Sequence, residues 1–159
     1  MISIKIVAVG RIKEDFTRKE IQEYSKRLSR YCNLSIIEVE DCKIKPNASM
    51  KEEEQVKVEE GKRLLSKIKE QEFVILLDLH GQMIDSISLS KKIDDLQNHY
   101  SNITFVIGGS LGISNEVVNR ANYRLKLSDL TFTHQMTRVL VLEQIYRSFK
   151  ILNNETYHK

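Results

Sequence analysis

Two segments of this chain are apolar at nearly every position and end close to glycine. Phe73–Leu79 stops two residues before Gly81, and Ile103–Ile107 runs directly into Gly108 and Gly109. A strand with one face in water alternates apolar and polar residues, whereas a strand covered on both faces is apolar throughout. Strands of the second kind occur in parallel sheets with helices on both faces, so the chain is predicted to build such a sheet.

The rest of the sequence alternates between β-rich runs and stretches with the 3.6-residue period of a helix. Further strands are predicted at Ile2–Val9, Leu34–Val39 and Tyr123–Leu127. Helices are predicted at Glu14–Arg30, Lys51–Lys69, a segment capped by Ser88 or Ser90, Asn115–Ala121 and about Gln135–Lys150. This alternation indicates an α/β fold with a mainly parallel sheet and flanking helices. The uniform composition indicates one domain, residues 1–159.

Composition excludes several classes of protein. Charged residues make up 30% and hydrophobic residues 41% of the chain, which is typical of a folded domain and not of a disordered one. No apolar run approaches the roughly 20 residues that cross a bilayer, and the N-terminus does not resemble a signal peptide. We therefore expect a cytoplasmic protein without membrane contact. The net charge of +3 permits nucleic-acid binding without demanding it.

The two cysteines, Cys32 and Cys42, lack the spacing of a metal site. Reduced thiols are therefore favoured over a disulfide or a metal role, and no metal is expected.

Three loops follow predicted strands at the edge where parallel sheets bind ligands. They are His80-Gly81, Gly108–Gly112 and Ser128–Thr133. Glycine lets the backbone approach a ligand closely, although the same glycines could equally serve tight turns.

The middle loop also fits the pattern G-x-S-x-G, with Ser110 at the nucleophile position. A serine hydrolase would then need Asp129 as the acid and His134 or His158 as the base. The chain is short for that fold, and Ser110 lies only about 20 residues before the acid, so this alternative is disfavoured. Dinucleotide and P-loop motifs are absent.

The last predicted helix is apolar on most of its surface, with Arg138, Glu143 and Arg147 as the main interruptions. Such a helix is either deeply buried or shared between subunits. Because other helices already cover both faces of the sheet, a homodimer contact is favoured over burial alone.

Several ordered motifs together resemble one family. The sequence reads FVIGGSLG at Phe105–Gly112, LSDLTF at Leu127–Phe132 and HQMTRVLVLEQIYR at His134–Arg147, and it ends in Tyr157-His158-Lys159. The opening Val7–Gly10 and the segment Tyr24–Leu28 extend the likeness over nearly the whole chain. The chain therefore resembles the RlmH family, SPOUT-class methyltransferases that modify a pseudouridine of large-subunit ribosomal RNA.

The resemblance implies a SPOUT-type fold with a C-terminal trefoil knot, an obligate homodimer and S-adenosylmethionine as cofactor. It also implies an active site near the subunit interface. The residues implied to bind the cofactor are Leu77, Gly108, Leu127, Ser128, Asp129, Leu130, Thr131 and Phe132. Their backbone groups could bond adenine and ribose while the apolar side chains enclose the rest.

The implied reaction is methylation of N3 of a pseudouridine in 23S ribosomal RNA. Methyl transfer from a sulfonium is an in-line displacement that needs correct placement of the acceptor and removal of its proton, but no metal. His134, Arg138, Tyr157 and His158 are the candidates for handling the acceptor, and none is singled out as the base. The alternatives are a helix-start hydrogen bond for His134 and a frayed terminus for Tyr157 and His158.

RNA contact is predicted from a local patch of Arg138, Arg147, Lys150 and Lys159. Because the net charge is small, we expect the assembled ribosome, with its 23S ribosomal RNA, to be the substrate in place of free RNA. Two alternatives stay open: an enzyme acting on another RNA such as tRNA, and a non-catalytic RNA-binding assembly factor.

Overall fold

The computed structural model describes all residues from Met1 to Lys159. Strands and helices alternate along the chain as the sequence predicts. The strands are β1 (Ser3–Val9), β2 (Asn33–Val39), β3 (Phe73–Gln82), β4 (Asn102–Ile107) and β5 (Tyr123–Leu125). The helices are α1 (Asp15–Leu28), α2 (Met50–Leu65), α3 (Ser86–Gln97), α4 (Asn115–Arg120) and α5 (His134–Leu152).

The five strands form one sheet in the order β2-β1-β4-β3-β5, and every neighbouring pair is parallel. Strand β1 shows why the strands are apolar throughout. Ile4, Ile6 and Ala8 face one core, whereas Val7 and Val9 face the other, and all five are buried. The predicted parallel sheet, covered on both faces, is confirmed.

Three layers result from this arrangement. Helices α1, α3 and α5 cover one face of the sheet, with α5 in contact with both of the others. Helices α2 and α4 cover the other face, where Leu64 and Val117 pack on valines of the sheet. None of the five helices combines the length and the apolar character that crossing a bilayer requires.

Helix α5 is apolar on most sides because it lies between two helices and the sheet. Val139, Val141, Leu142, Ile145 and Phe149 are all buried within the one chain. Most of the apolar surface that favoured a subunit contact is therefore explained by burial, and the predicted homodimer needs support from other residues.

Strand β3 extends further than predicted, because it continues past Gly81 to Gln82. Both Leu77 and Gln82 pair with Leu125 of β5, so the strand is irregular between them. A Cβ atom at Gly81 would lie 2.6 Å from the carbonyl oxygen of Arg124. This glycine therefore permits close approach of two strands; it does not end one.

Other boundaries differ from the sequence prediction as well: α1 ends at Leu28 and not at Arg30, and α2 ends at Leu65 and not at Lys69. Helix α3 is capped by Asp85, whose Oδ1 accepts a hydrogen bond from the amide of Ser88 at 2.7 Å, and not by Ser88 or Ser90. Strand β5 ends at Leu125 and not at Leu127, since the chain leaves the sheet there. Both cysteines are free, and burial raises the pKa of the Cys32 thiol to about 12. The trefoil knot stays a prediction.

Candidate active site

One opening at the carboxyl edge of the sheet is a cleft of about 460 Å³, here called the large cleft. Its walls come from residues 84–89 at the start of α3, residues 125–128 after β5, Phe132, two residues of α5 and the tail residue His158. Cavities that hold small-molecule ligands span about 300–1,000 Å³, so this one is large enough for a nucleoside-sized ligand.

The segment 126–133 forms the most polar wall of the large cleft through its backbone. The amide of Lys126 donates to the carbonyl of Gln82 at 2.9 Å. Beyond it, the amide of Leu130 donates to the hydroxyl of Ser128 at 3.0 Å. The amides of Leu127, Ser128, Asp129, Thr131 and Phe132 donate no hydrogen bond within the chain. These amides lie in a half-buried to exposed loop, where they are open to solvent or to a bound ligand with acceptor atoms, and a run of them beside a cleft suits such a ligand.

Apolar side chains form much of the rest of the large cleft, beside the polar side chains of Asp85, Ser86, Gln144 and His158. Leu125 is buried at its base, Leu127 is half-buried, and the Phe132 ring is 37% exposed. Free amides next to apolar surface can hold a planar heterocycle by its edge and by its faces.

The C-terminal tail is packed onto α5 beside the large cleft. The Tyr157 hydroxyl donates to Glu143 Oε1 at 3.0 Å, and the Tyr157 ring meets Tyr146 edge-on, with centroids 5.0 Å apart. Arg147 also pairs with Glu143, and its Nη1 lies 3.2 Å from Nδ1 of His158. Tyr157 and His158 therefore have packing and hydrogen-bond partners within the chain, which disfavours the alternative of a frayed terminus.

Burial of Tyr157 raises the pKa of its phenol well above the ordinary value, and the hydrogen bond to Glu143 raises it further. The phenol is therefore neutral at physiological pH and can act as a hydrogen-bond donor. His158, by contrast, is exposed and lies on the wall of the large cleft.

A second opening, the small cavity, measures about 50 Å³ and lies where β1 and β4 end. It is lined by Gly10, Gly109, Ser110, His134 and Glu60, among others. Burial lowers the pKa of His134, and the nearby charges of Arg138 and Lys13 lower it further. The volume suits a water molecule or two, not a nucleoside.

Glu60 is a buried carboxylate that the sequence analysis missed. It is 5% exposed, and its Oε2 accepts a hydrogen bond from the amide of Cys42 at 3.0 Å. A Cβ atom at Gly109 would lie 3.0 Å from its Oε1, so the carboxylate supports the glycine loop from behind. Burial raises the pKa of Glu60 above the ordinary carboxyl value, an effect that the amide of Cys42 only partly offsets.

Arg138 is 1% exposed and lies beneath the carboxyl end of β1. Its guanidinium pairs with Glu38 at 2.5 Å and donates to the carbonyls of Val9 and Gly10 at 3.3 and 3.1 Å. The side chain therefore joins α5 to β1 and β2. It cannot belong to a surface patch, and that part of the RNA-contact prediction is wrong.

The hydrolase alternative does not fit this geometry. Ser110 makes no hydrogen bond to a histidine, and the Asp129 carboxylate pairs with Lys126 at 2.6 Å. A nucleophile of this kind requires a base within hydrogen-bonding reach and a third group that orients the base. No cluster of three or more His, Cys, Asp or Glu side chains is placed to hold a metal ion.

Comparison with known proteins decides the family. A family model described as "Predicted SPOUT methyltransferase" matches residues 2–158. This chain belongs to the SPOUT methyltransferase family. The resemblance drawn from the motifs is therefore confirmed.

Named relatives match the chain from end to end. It is similar to the "Ribosomal RNA large subunit methyltransferase H" of Clostridium tetani, with 54% identity over 99% of this chain and 100% of that protein. The protein of the same name from Acetivibrio thermocellus is 51% identical over 98% of this chain and 99% of that protein.

The structure brings together only some of the residues that the family resemblance singled out. Leu127, Ser128, Phe132 and His158 line the large cleft, and Tyr157 lies beside it. Asp129, Leu130 and Thr131 belong to the same segment, with exposed side chains.

Leu77 and Gly108 of the predicted cofactor set lie deeper in the sheet edge. Leu77 is half-buried and pairs with Leu125, and Gly108 directly follows β4. A Cβ atom at Gly108 would collide with the side chain of Ile113. His134 and Arg138 are neighbours at the start of α5, but they lie at the small cavity and beneath β1, respectively.

Glu143 is a second residue that the sequence analysis missed as part of the site. It holds Tyr157 and Arg147 together, and through Arg147 it reaches the His158 ring. Its position four residues before Arg147 was the available signal, because residues at that spacing share a helix face.

Proposed function

We propose that this SPOUT methyltransferase uses S-adenosylmethionine to methylate N3 of a pseudouridine in 23S ribosomal RNA. Its relatives carry the name of a large-subunit ribosomal RNA methyltransferase, which supports the substrate class. The observation that carries the cofactor assignment is the run of free backbone amides at residues 127–132 beside the apolar large cleft.

The residues present fit the cofactor. The amides of Leu127, Ser128, Asp129, Thr131 and Phe132 would bond the nitrogen and oxygen acceptors of adenosine, and Leu125 and Phe132 would contact the faces of the base. S-adenosylmethionine supplies an electrophilic methyl group when it is bound. What the chain must add is a fixed position for the acceptor and a place for its proton.

His158 is the residue best placed to act on the acceptor base. Among the four candidates it alone lines the large cleft, and Arg147 fixes its ring. In this proposal Nδ1 of His158 accepts from Arg147, which leaves the ring hydrogen on Nε2. This N–H would donate to the pseudouridine carbonyl beside N3 and stabilise the developing imide anion, while solvent takes the N3 proton. The neutral Tyr157 hydroxyl beside it holds the tail in position through Glu143. Arg138 and His134 are assigned to the support of α5 and the small cavity.

We propose further that the enzyme acts as a homodimer. Three large apolar side chains near the large cleft lie open to solvent: Leu130 is 72%, Phe132 37% and Met136 53% exposed. Contiguous exposed apolar surface of this kind marks a contact site, and a second copy would complete the cleft. A Met136→Asp variant should sediment as a monomer where the parent sediments as a dimer; a parent that sediments as a monomer contradicts the proposal.

The assembled ribosome is the proposed substrate, in the cytoplasm. Arg147 and Lys150 of the predicted RNA patch are committed to ion pairs with Glu143 and Glu155, which leaves few free cations beside the tail for gripping naked RNA. Methyl transfer to ribosomes and to protein-free 23S RNA should be compared at equal concentration. Equal rates on the two would contradict this part of the proposal.

The decisive experiment is mass spectrometry of large-subunit RNA after incubation of ribosomes with the protein and labelled S-adenosylmethionine. We expect one added methyl group at N3 of one pseudouridine. A Gly108→Arg variant should lose transfer because any side chain there meets Ile113. Circular dichroism would show whether that variant is folded. Methylation of tRNA would favour the first alternative, and absence of cofactor binding in calorimetry would favour a non-catalytic factor.

A further inference from the structure

The net charge of the molecule is concentrated in one short segment. Residues 11–30 contain seven of the 25 basic residues and four of the 22 acidic residues. The rest of the chain therefore carries 18 of each sign, and this segment accounts for the whole net charge of +3. It comprises helix α1 and the loop that leads into it.

Most of these cations have no carboxylate partner. Arg18 pairs with Asp15 and Arg27 with Glu23, but the other five basic residues of the segment form no salt bridge. Those five are Arg11, Lys13, Lys19, Lys26 and Arg30, and all of them are exposed. They are therefore free to bind an external anion without first breaking an internal pair.

An aromatic ring lies among the cations at the start of the helix. Phe16 is 71% exposed in the first turn of α1 and packs against neither core cluster. Lys13 comes three residues before Phe16 and Lys19 three residues after it, on the same helix face. The acids close by in the chain are Glu14, Glu20 and Asp15, and Asp15 is paired with Arg18. An exposed aromatic ring next to unpaired cations is the combination with which proteins hold single-stranded nucleic acid.

This end of α1 lies at the same edge of the sheet as the start of α5. The amide of Ile12 donates to Glu38 Oε2 at 3.1 Å, and Arg138 bonds both Glu38 and the carbonyl of Gly10. The charge of Lys13 acts on His134 at the start of α5. Residues 125–133, which form the wall of the large cleft, lead directly into that helix start.

We infer that Arg11, Lys13, Phe16 and Lys19, the α1 strip, form an RNA-anchoring surface beside the catalytic cleft. The three cations contact phosphates and Phe16 stacks on an unpaired base of the strand that carries the target nucleotide. The inference rests on the proposed function, because it assigns a docking surface for the RNA that the large cleft would modify.

Charge decides between RNA and a second copy of the chain as the occupant. Two α1 strips facing each other would bring like charges together, whereas the phosphate backbone supplies the opposite charge along an extended line. The apolar residues that suit a subunit contact lie elsewhere, at residues 130–136.

The test is ribosome binding as a function of salt concentration. A triple variant, Arg11→Gln, Lys13→Gln and Lys19→Gln, removes the charges and keeps most of the side-chain length. The matched control, Lys51→Gln, Lys67→Gln and Lys69→Gln, removes three exposed cations that form no salt bridge, in or just beyond helix α2 on the opposite face. S-adenosylmethionine affinity and thermal stability should stay unchanged in both.

We expect the α1 variant to bind ribosomes at least about tenfold more weakly at moderate salt, with a log–log salt slope smaller by about 2. Phe16→Ala alone should weaken binding about fivefold or more without changing that slope. An equal loss in the α2 control, or unchanged binding in the α1 variant, would overturn the inference, as would a shift from dimer to monomer on the Phe16 change.

These outcomes are separable from those of the proposed function. If the parent protein binds ribosomes through the α1 strip but transfers no methyl group, only the proposed activity fails. If the parent protein methylates the RNA and the α1 variant binds and methylates equally well, only the assignment of RNA binding to the α1 strip is wrong.

Discussion

The large cleft and the small cavity open at the same edge of the sheet, but they differ in volume and in the groups that line them. The cleft of about 460 Å³ combines apolar side chains left partly in water with backbone amides left without partners. The cavity of about 50 Å³ is much smaller and is lined in part by the carboxylates of Glu60 and Asp41 and the ring of His134, with the paired Arg138 close by. Exposed apolar side chains and unpaired backbone amides indicate a place for a ligand. A buried, paired charge such as that of Arg138 instead connects secondary-structure elements, here α5 with β1 and β2.

The largest effect is expected from removing the contacts by which Arg138 connects α5 to β1 and β2. Arg138→Met removes the pair with Glu38 and the bonds to two carbonyls of β1, and should lower the free energy of unfolding by about 3 kcal/mol. Urea denaturation measures it. The control Arg27→Met breaks an exposed pair with Glu23, which water screens, and should change the stability far less than Arg138→Met. Equal stabilities, with methyl transfer lost only in Arg138→Met, would instead assign Arg138 to the reaction.

The two histidines test the difference in chemistry. His158→Ala should lower kcat at least about a hundredfold, because the large cleft loses the N–H donor proposed to stabilise the developing imide anion. His134→Ala, at the small cavity, should change kcat by less than about threefold once its fold is verified. Single-turnover methyl transfer on ribosomes across a range of pH values makes the comparison. The reverse ranking of the two variants would move the chemistry to the small cavity.

The affinity for S-adenosylmethionine distinguishes the two openings, with a smaller expected effect than the histidine variants have on kcat. Leu127→Asp places a charge on the wall of the large cleft and should weaken S-adenosylmethionine binding about thirtyfold, as measured by calorimetry. Ile44→Asp, at the margin of the small cavity, should leave the affinity within about twofold. Loss of affinity in both variants would mean that the cofactor reaches the cavity as well.

The smallest effect concerns Glu60 and depends on pH. Because the folded state raises the pKa of this carboxyl, the folded state binds the proton more tightly, and stability falls as the pH rises through the raised pKa. Glu60→Gln keeps an acceptor for the amide of Cys42 without the charge. It should match the parent near about pH 4 and exceed it by on the order of 1 kcal/mol at about pH 7.

Urea unfolding at both pH values gives the result for Glu60. A variant that is less stable than the parent at neutral pH would show that the charged carboxylate is stabilising where it lies.

Much of the fold could be predicted from the sequence, because strands that are buried on both faces have a recognisable pattern. Alternation of residues between two buried faces leaves an apolar run, and β1, β3 and β4 show that run plainly. The ends of the strands and helices were harder to predict from the sequence, as Gly81 shows. A glycine there looked like the end of a strand, but it serves the approach of β3 to the backbone of Arg124. Only the neighbouring strand distinguishes those two uses.

The site was predictable to a smaller extent. The predicted cofactor segment 127–132 stays together in the structure because its residues are consecutive in the chain, and three of them line the large cleft. His134 and Arg138 share one end of α5, as their spacing predicts, yet that end lies against β1 and not in the large cleft. Helical spacing fixes which residues are neighbours, but it does not fix which neighbours meet the substrate.

The sequence by itself determined the alternation of elements, the parallel sheet and the motifs that point to the family. These depend on local periodicity and on residues close together in the chain. Only the tertiary structure decided that α5 is apolar because two helices and a sheet enclose it, and that Arg138 is a buried joint. The same is true of the tail, where Glu143 holds Tyr157 in place and Arg147 brings His158 to the cleft. Burial and pairing depend on which distant segments meet, and that is a property of the folded chain.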